Sequence, residues 1–262
     1  MQPKTEEFLN LLLWTADRLL QPTFRNLTES YESWAYRNGL MRQLSALQRQ
    51  QLIERSSHTA GRHYRLTPQG RLHAIGGRDP EERWARNWDR RWRLVLFDLP
   101  SAQDAQRDRL RRYLREQNFG YLQHSVWITP DRLENEQQLL RGEMINVESL
   151  LLLEARPCSG ESDAEIVAGA WDFERMNRRY ERHLKILDER PSGALRREAT
   201  ANALLRWARM ERSAWLDAVT NDPLLPSPLL PSNYLGQRAW RRRVEVMRDA
   251  GKQLETFEGA VA

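Results

Sequence analysis

The chain has 262 residues, 41 Lys+Arg against 36 Asp+Glu, a single cysteine and a mean hydropathy of −0.76, which allows one or two ordinary domains or three small ones. Its longest apolar runs, Leu11 to Trp14 and Leu150 to Leu153, fall far below the roughly 18 consecutive apolar residues of a membrane span. Glu6 and Glu7 stand where a secretory signal would be apolar, and lone Cys158 makes neither an internal disulfide nor a cysteine-rich metal site, so a soluble cytoplasmic protein is predicted.

The net charge of +5 divides along the chain as +4 for Met1 to Ile75, 0 for Gly76 to Gly160 and +1 for Glu161 to Ala262. Tyr36 to Ile75 alone holds seven arginines and one acid, Glu54. A basic excess confined to one short stretch is the electrostatic footprint expected of a nucleic-acid contact. All but three of the basic residues are arginine, a bias that reads either as genomic composition or as a preference for bidentate phosphate contacts.

In chain order, Phe8, Leu11, Leu12, Thr15 and Leu19 predict an amphipathic helix over Lys4 to Leu20, ending near Pro22. A short helix follows between Thr28 and Trp34. Leu40, Leu44 and Leu47 then recur at helical spacing on one buried stripe, leaving Asn38, Arg42, Ser45 and Arg49 opposite. Leu52 to Ser56 and His63 to Thr67 have strand character and are separated by a turn that contains Gly61. Three helices and a hairpin make a winged helix-turn-helix over residues 1–76. Its recognition helix would offer Arg37, Asn38, Arg42, Ser45 and Arg49 to the major groove, where Arg pairs with guanine and Asn with adenine. Its wing would bring His58, Arg62 and His63 to phosphates or the minor groove. The alternative is that these are solvated polar residues on a domain used for protein contacts.

Gly76-Gly77 and Asp79-Pro80 mark a linker over 77–91. Within 92–158, Trp92 to Asp98 reads as a strand and Ala102 to Asn118 as a helix with Leu110 and Leu114 on its core face. Tyr121 to Ile128 is a further strand run, a helix lies around Leu133 to Met144, and Ser149 to Ala155 is an apolar strand. The order β-α-β(β)-α-β is the ferredoxin-like split pattern, which makes the whole chain α+β. After a second linker at Pro157 to Ser162, residues 171–262 read as a mostly helical domain: Trp171 to about Leu187, one or two helices over Ala194 to Val219, the proline-punctuated Asp222 to Pro231, and Gly236 to Phe257.

Several runs resemble the PaaX family of bacterial repressors of phenylacetic-acid catabolism. Trp92 to Pro100, Arg107 to Leu114, Phe119 to Gln123 and Val126 to Pro130 are similar to its central domain. Asp222-Pro223-Leu224-Leu225-Pro226-Ser227-Pro228-Leu229-Leu230-Pro231, with Gly236 and Ala239, resembles its C-terminal signature, and Trp171-Asp172 a recurrent helix start. The resemblance implies a homodimeric repressor that binds palindromic double-stranded operator DNA and leaves it when an aryl-acyl-coenzyme A or small aromatic effector binds, with no cofactor. Met41, Ala46 and Gln51 depart from the family's recognition-helix pattern. So do Tyr234-Leu235 where Trp-Pro is usual, and Glu211-Arg212 where a His/Tyr-Arg pair is usual.

For an effector, Trp171 can stack an acyl group, and Arg175, Arg179 and Arg212 can meet coenzyme A phosphates; core packing and plain solvation are the alternative readings. The central domain also resembles the ferredoxin-like nuclease subunit of CRISPR adaptation complexes, in which an aspartate at the end of the first strand holds a divalent ion. Asp98 stands there, so a metal-dependent nuclease is the competing function. The competing role for Asp98 is to close the strand-to-helix turn. The five histidines show no ligand spacing with Cys158 or with each other outside the wing, and no glycine-rich phosphate loop occurs.

Overall fold

The computed structural model of the chain describes residues 40–56, 63–98, 104–133, 149–158, 160–192 and 198–258. The helices expected at Lys4 to Leu20 and Thr28 to Trp34 lie outside these residues, as does nearly all of the one around Leu133 to Met144. Close packing sorts the chain into two units. The first comprises Met1–Asp79, Arg179–Thr220 and Gly236–Ala262; the second comprises Pro80–Arg178 and Asn221–Leu235.

Among the described residues the first unit opens with helix α1 (Leu40–Arg49), anchored by fully buried Leu47. Gln51, at φ 57°, turns the chain into β1 (Ile53–Ser56), which pairs antiparallel with β2 (His63–Leu66), Ile53 opposite Leu66 and Ser56 opposite His63. A short helix not foreseen from the sequence, α2 (Pro68–Ala74), follows directly. Its start signal is local: Thr67 Oγ1 accepts the Gly70 N–H at 3.0 Å and donates to the Gln51 carbonyl at 2.7 Å, with Pro68 in the first turn. Gly70 is required there, because a Cβ would stand 1.9 Å from the Leu52 carbonyl oxygen.

The second unit opens with α3 (Pro80–Ala85), inside the segment read as linker; its Trp84 is buried, and Arg83 and Arg86 both reach Asp131, at 2.6 and 2.7 Å. Strand β3 (Trp92–Asp98) and helix α4 (Asp104–Glu116) come next. The expected run over Tyr121 to Ile128 divides into β4 (Gly120–Gln123) and β5 (Val126–Thr129), because His124 takes a left-handed φ of 44° and closes a tight turn with Ser125. With β6 (Ser149–Ala155) they form one antiparallel sheet in the order β4-β5-β3-β6, the order of the ferredoxin-like pattern. Alternation along β3 separates two cores. Val95 and Phe97 join Trp127, Leu110, Leu114 and Phe119 under α4. Trp92 and Ile128 meet Val167 and Ala170 of α5 (Asp163–Ala170), together with Phe173 and Met176.

Helix α5 was not foreseen either, although Ser162 and Glu165 form its capping box: Ser162 Oγ accepts the Glu165 N–H at 3.2 Å and the Glu165 carboxylate accepts the Ser162 N–H at 2.8 Å. Helix α6 (Phe173–Asp188) passes from the second unit into the first at Arg179. There it joins α7 (Glu198–Thr220) and α8 (Gly236–Glu258), which share Leu187, Leu204, Trp207, Val246 and Met247 as core. Trp215 of α7 donates to the Ile75 carbonyl at 3.0 Å, and Gly76 lies against Val219, so α2 and α7 belong to one packed body. Among the described residues no helix is long and apolar enough to cross a membrane.

Candidate functional site

On α1, buried Leu47 fixes the inward side and leaves Ser45 and Arg49 exposed. Arg49 Nε donates to the Ser45 carbonyl at 3.3 Å, so both belong to one outer stripe, and Arg42 lies one turn earlier along α1. His63 opens β2 opposite Ser56. Arg37, Asn38, His58 and Arg62 lie outside the described residues.

The four effector candidates fall in different surroundings. Trp171 is a packing residue: its Nε1 donates to the Asn118 carbonyl at 3.2 Å, its ring lies 6.1 Å from that of Trp92, and it abuts Gly120 so closely that a Cβ there would stand 2.7 Å from the indole. Arg175 is exposed on α6, in a first turn capped by Asp172 through the Arg175 N–H at 2.8 Å. Arg179 is partly buried and faces Asp217 at 3.7 Å, whereas Arg212 is only 6% exposed. Trp171 and Arg175 belong to the second unit, Arg179 and Arg212 to the first. Asp98 ends β3 opposite Ser149. Among the described residues no cluster of three or more His, Cys, Asp or Glu side chains is arranged to hold a metal ion.

Sequence reasoning missed the most buried charge cluster. Glu211 of α7 is fully buried and accepts from Arg243 Nε of α8 at 2.6 Å, while His183 Nε2 of α6 lies 2.9 Å away. The Arg243 guanidinium also covers the Trp215 ring at 4.9 Å. Burial alone would raise the Glu211 carboxyl; Arg243 and His183 together outweigh it and hold the group below its ordinary range, so it is ionised.

The proline-punctuated segment is built around Asp222. Its carboxylate accepts the Leu224 N–H at 2.7 Å, which holds Leu224 at φ 48°, and the Tyr234 hydroxyl at 2.5 Å. Arg86 donates to the Leu224 carbonyl, Ser227 Oγ donates to the Trp84 carbonyl at 2.9 Å, and Asn177 bridges to the Asn233 carbonyl and the Leu235 N–H. Tyr234, where the resemblance leads one to expect tryptophan, supplies the hydroxyl that closes this loop.

Two family domains match the chain: the PaaX protein central Cas2-like domain over residues 85–167 and the PaaX-like protein C-terminal domain over 171–256. The chain belongs to the PaaX family. The PaaX central domain covers the four-stranded sheet and α4, from the end of α3 into α5, and its C-terminal domain covers the helices that carry the Asp222 loop and the Glu211 cluster. These PaaX domains suggest a transcriptional regulator of phenylacetic acid catabolism, in a family of regulators. No curated protein matches the chain. Among solved structures it is similar to the uncharacterized protein Rv0674 from Mycobacterium tuberculosis, at 20% identity and a TM-score of 0.54 over 95% of this chain and 96% of that one, a likeness of fold.

Proposed function

We propose that this PaaX-family chain is a ligand-responsive repressor that binds a palindromic operator as a homodimer through an amino-terminal winged helix-turn-helix, with α1 as recognition helix and the β1–β2 hairpin as wing. The observation that carries the reading is the disposition of α1: Ser45 and Arg49 are exposed opposite buried Leu47, on a helix followed at once by an antiparallel hairpin, in the stretch that holds nearly all the excess positive charge. Release follows binding of an aryl-acyl-coenzyme A or related metabolite. Arg175, exposed on α6, is the effector contact this reading retains in the second unit, because Trp171 is engaged there by the Asn118 carbonyl and the Trp92 ring. Footprinting on the DNA upstream of the gene, repeated with candidate thioesters, is expected to show one protected palindrome that is lost on adding the effector; failure to protect any site sinks the repressor reading.

The homodimer is supported by an apolar strip on the sheet. Leu151, 59% exposed, pairs across β6 and β3 with half-buried Leu96, which in turn pairs with half-buried Val126 on β5. Paired residues point to the same face, so the three form a row beside the patch that α5 covers. Leu151→Arg is expected to shift the chain from dimer to monomer in light scattering without altering its far-UV dichroism.

A further inference from the structure

The sheet unit contains a second feature that the repressor reading does not use. A cavity of about 540 Å³ opens where β3 and β6 meet the segment after β5. Arg91, Arg93, Arg132 and Arg156 line it, with Asp89 and Glu154 as its carboxylates. Arg93 is the fixed base: it is 4% exposed, bound by Asp89 through two contacts of 2.8 and 2.5 Å, and donates to the Pro130 carbonyl at 3.2 Å. Both carboxylates are shared. Asp89 serves Arg93 and, at 3.9 Å, Arg132; Glu154 serves Arg91 at 2.7 Å and Arg93 at 3.4 Å. The Arg93 contact holds Asp89 below the ordinary carboxylate range and the Arg91 contact does the same for Glu154, so both are charged and the lining keeps two surplus positive charges. Arg132 and Arg156 are exposed at the mouth.

The remaining wall is apolar, supplied by Leu133, Leu152 and Leu153. Guanidinium forks beside leucine suit an anion that carries an apolar substituent. A phosphate monoester carries close to two negative charges near neutral pH, which matches the surplus; a monocarboxylate or a single phosphodiester leaves one arginine charge uncompensated. We propose that this pocket binds a small phosphate monoester with an apolar or aromatic substituent, its phosphate held by Arg132 and Arg156 above the fixed Arg93 and its apolar part laid against Leu133 and Leu152, which share the sheet face of Arg93. The site shares no residue with the α1 stripe and requires nothing of the operator reading.

The test is calorimetric titration of the full chain with phenyl phosphate, with inorganic phosphate and phenol as the two half-ligands. The expected result is one saturable phenyl phosphate site per chain, with each half-ligand weaker by about tenfold or more. Arg132→Gln combined with Arg156→Gln is expected to weaken phenyl phosphate binding by about tenfold while leaving the thermal midpoint in place, since both side chains are exposed. Absence of saturable binding overturns the proposal, and so does an affinity unchanged in the double variant. Duplex DNA of random sequence is the third arm: if its affinity falls in the double variant while phenyl phosphate fails to bind, the arginines hold nucleic-acid backbone and the small-molecule site is refuted.

Discussion

Glu211→Ala is expected to destabilise the helical body of α6, α7 and α8 by about 3–5 kcal/mol, the range for removing one partner of a buried ion pair. The cost comes from what stays behind more than from the contact that is lost. Arg243 is fully buried, and without the carboxylate at 2.6 Å its charge stays in the core against the Trp215 ring. Replacing the pair together, with Glu211→Leu and Arg243→Met, is expected to recover most of the loss, because neither desolvated charge remains. Hydrogen exchange on peptides from 198–220 measures this locally; equal protection in the single and double variants would contradict it. The acid limb follows from the same cluster. A carboxyl whose folded pKa is lowered contributes stability that is fully present above its unfolded value, near 4.5, and is lost as pH falls through the lower folded value. Glu211→Gln removes that limb, so its unfolding midpoint is expected to change less than the wild type's below about pH 4.5.

The same cluster shows what the sequence conceals. Strands β3 and β6 were legible to the residue, because Leu94–Phe97 and Leu150–Leu153 are apolar runs with charged residues within two positions at either end. Hairpin β1–β2 was legible because Gly61 and its polar neighbours separate two short strand runs. In contrast, His183, Glu211 and Arg243 each occupy a core position in an apolar stripe: between Tyr180 and Leu187 on α6, between Trp207 and Trp215 on α7, and between Ala239 and Val246 on α8. One polar residue in each of three stripes was the available signal, and only tertiary packing shows that the three interruptions meet. Helix α5 was lost for a simpler reason. The linker composition before it drew the boundary at Ser162, although Ser162 and Glu165 are spaced as a capping box. The arginine pocket was beyond reach, since its lining comes from three separate segments that the fold gathers at one end of β3 and β6.

Arg42→Ala is expected to cost about 1–3 kcal/mol of operator affinity, a loss of roughly fivefold to 150-fold, and to relax sequence preference at the base pair it reads. Arg49→Ala is expected to behave differently. Arg49 sits in the last turn of α1, its Nε already engaged with the Ser45 carbonyl, at the end that in the proposed docking enters the groove least deeply. Its contribution is therefore to phosphate, so the variant weakens operator and random duplex alike and lowers the slope of log affinity against log salt by about 1. Fluorescence anisotropy on both duplexes over a salt series separates the two behaviours. If Arg42→Ala weakens operator and random DNA by the same factor, α1 contacts backbone only, and base readout must lie elsewhere in the amino-terminal segment. If neither variant changes affinity for either duplex, the basic stretch does not contact DNA, and the surplus charge of residues 36–75 requires another partner.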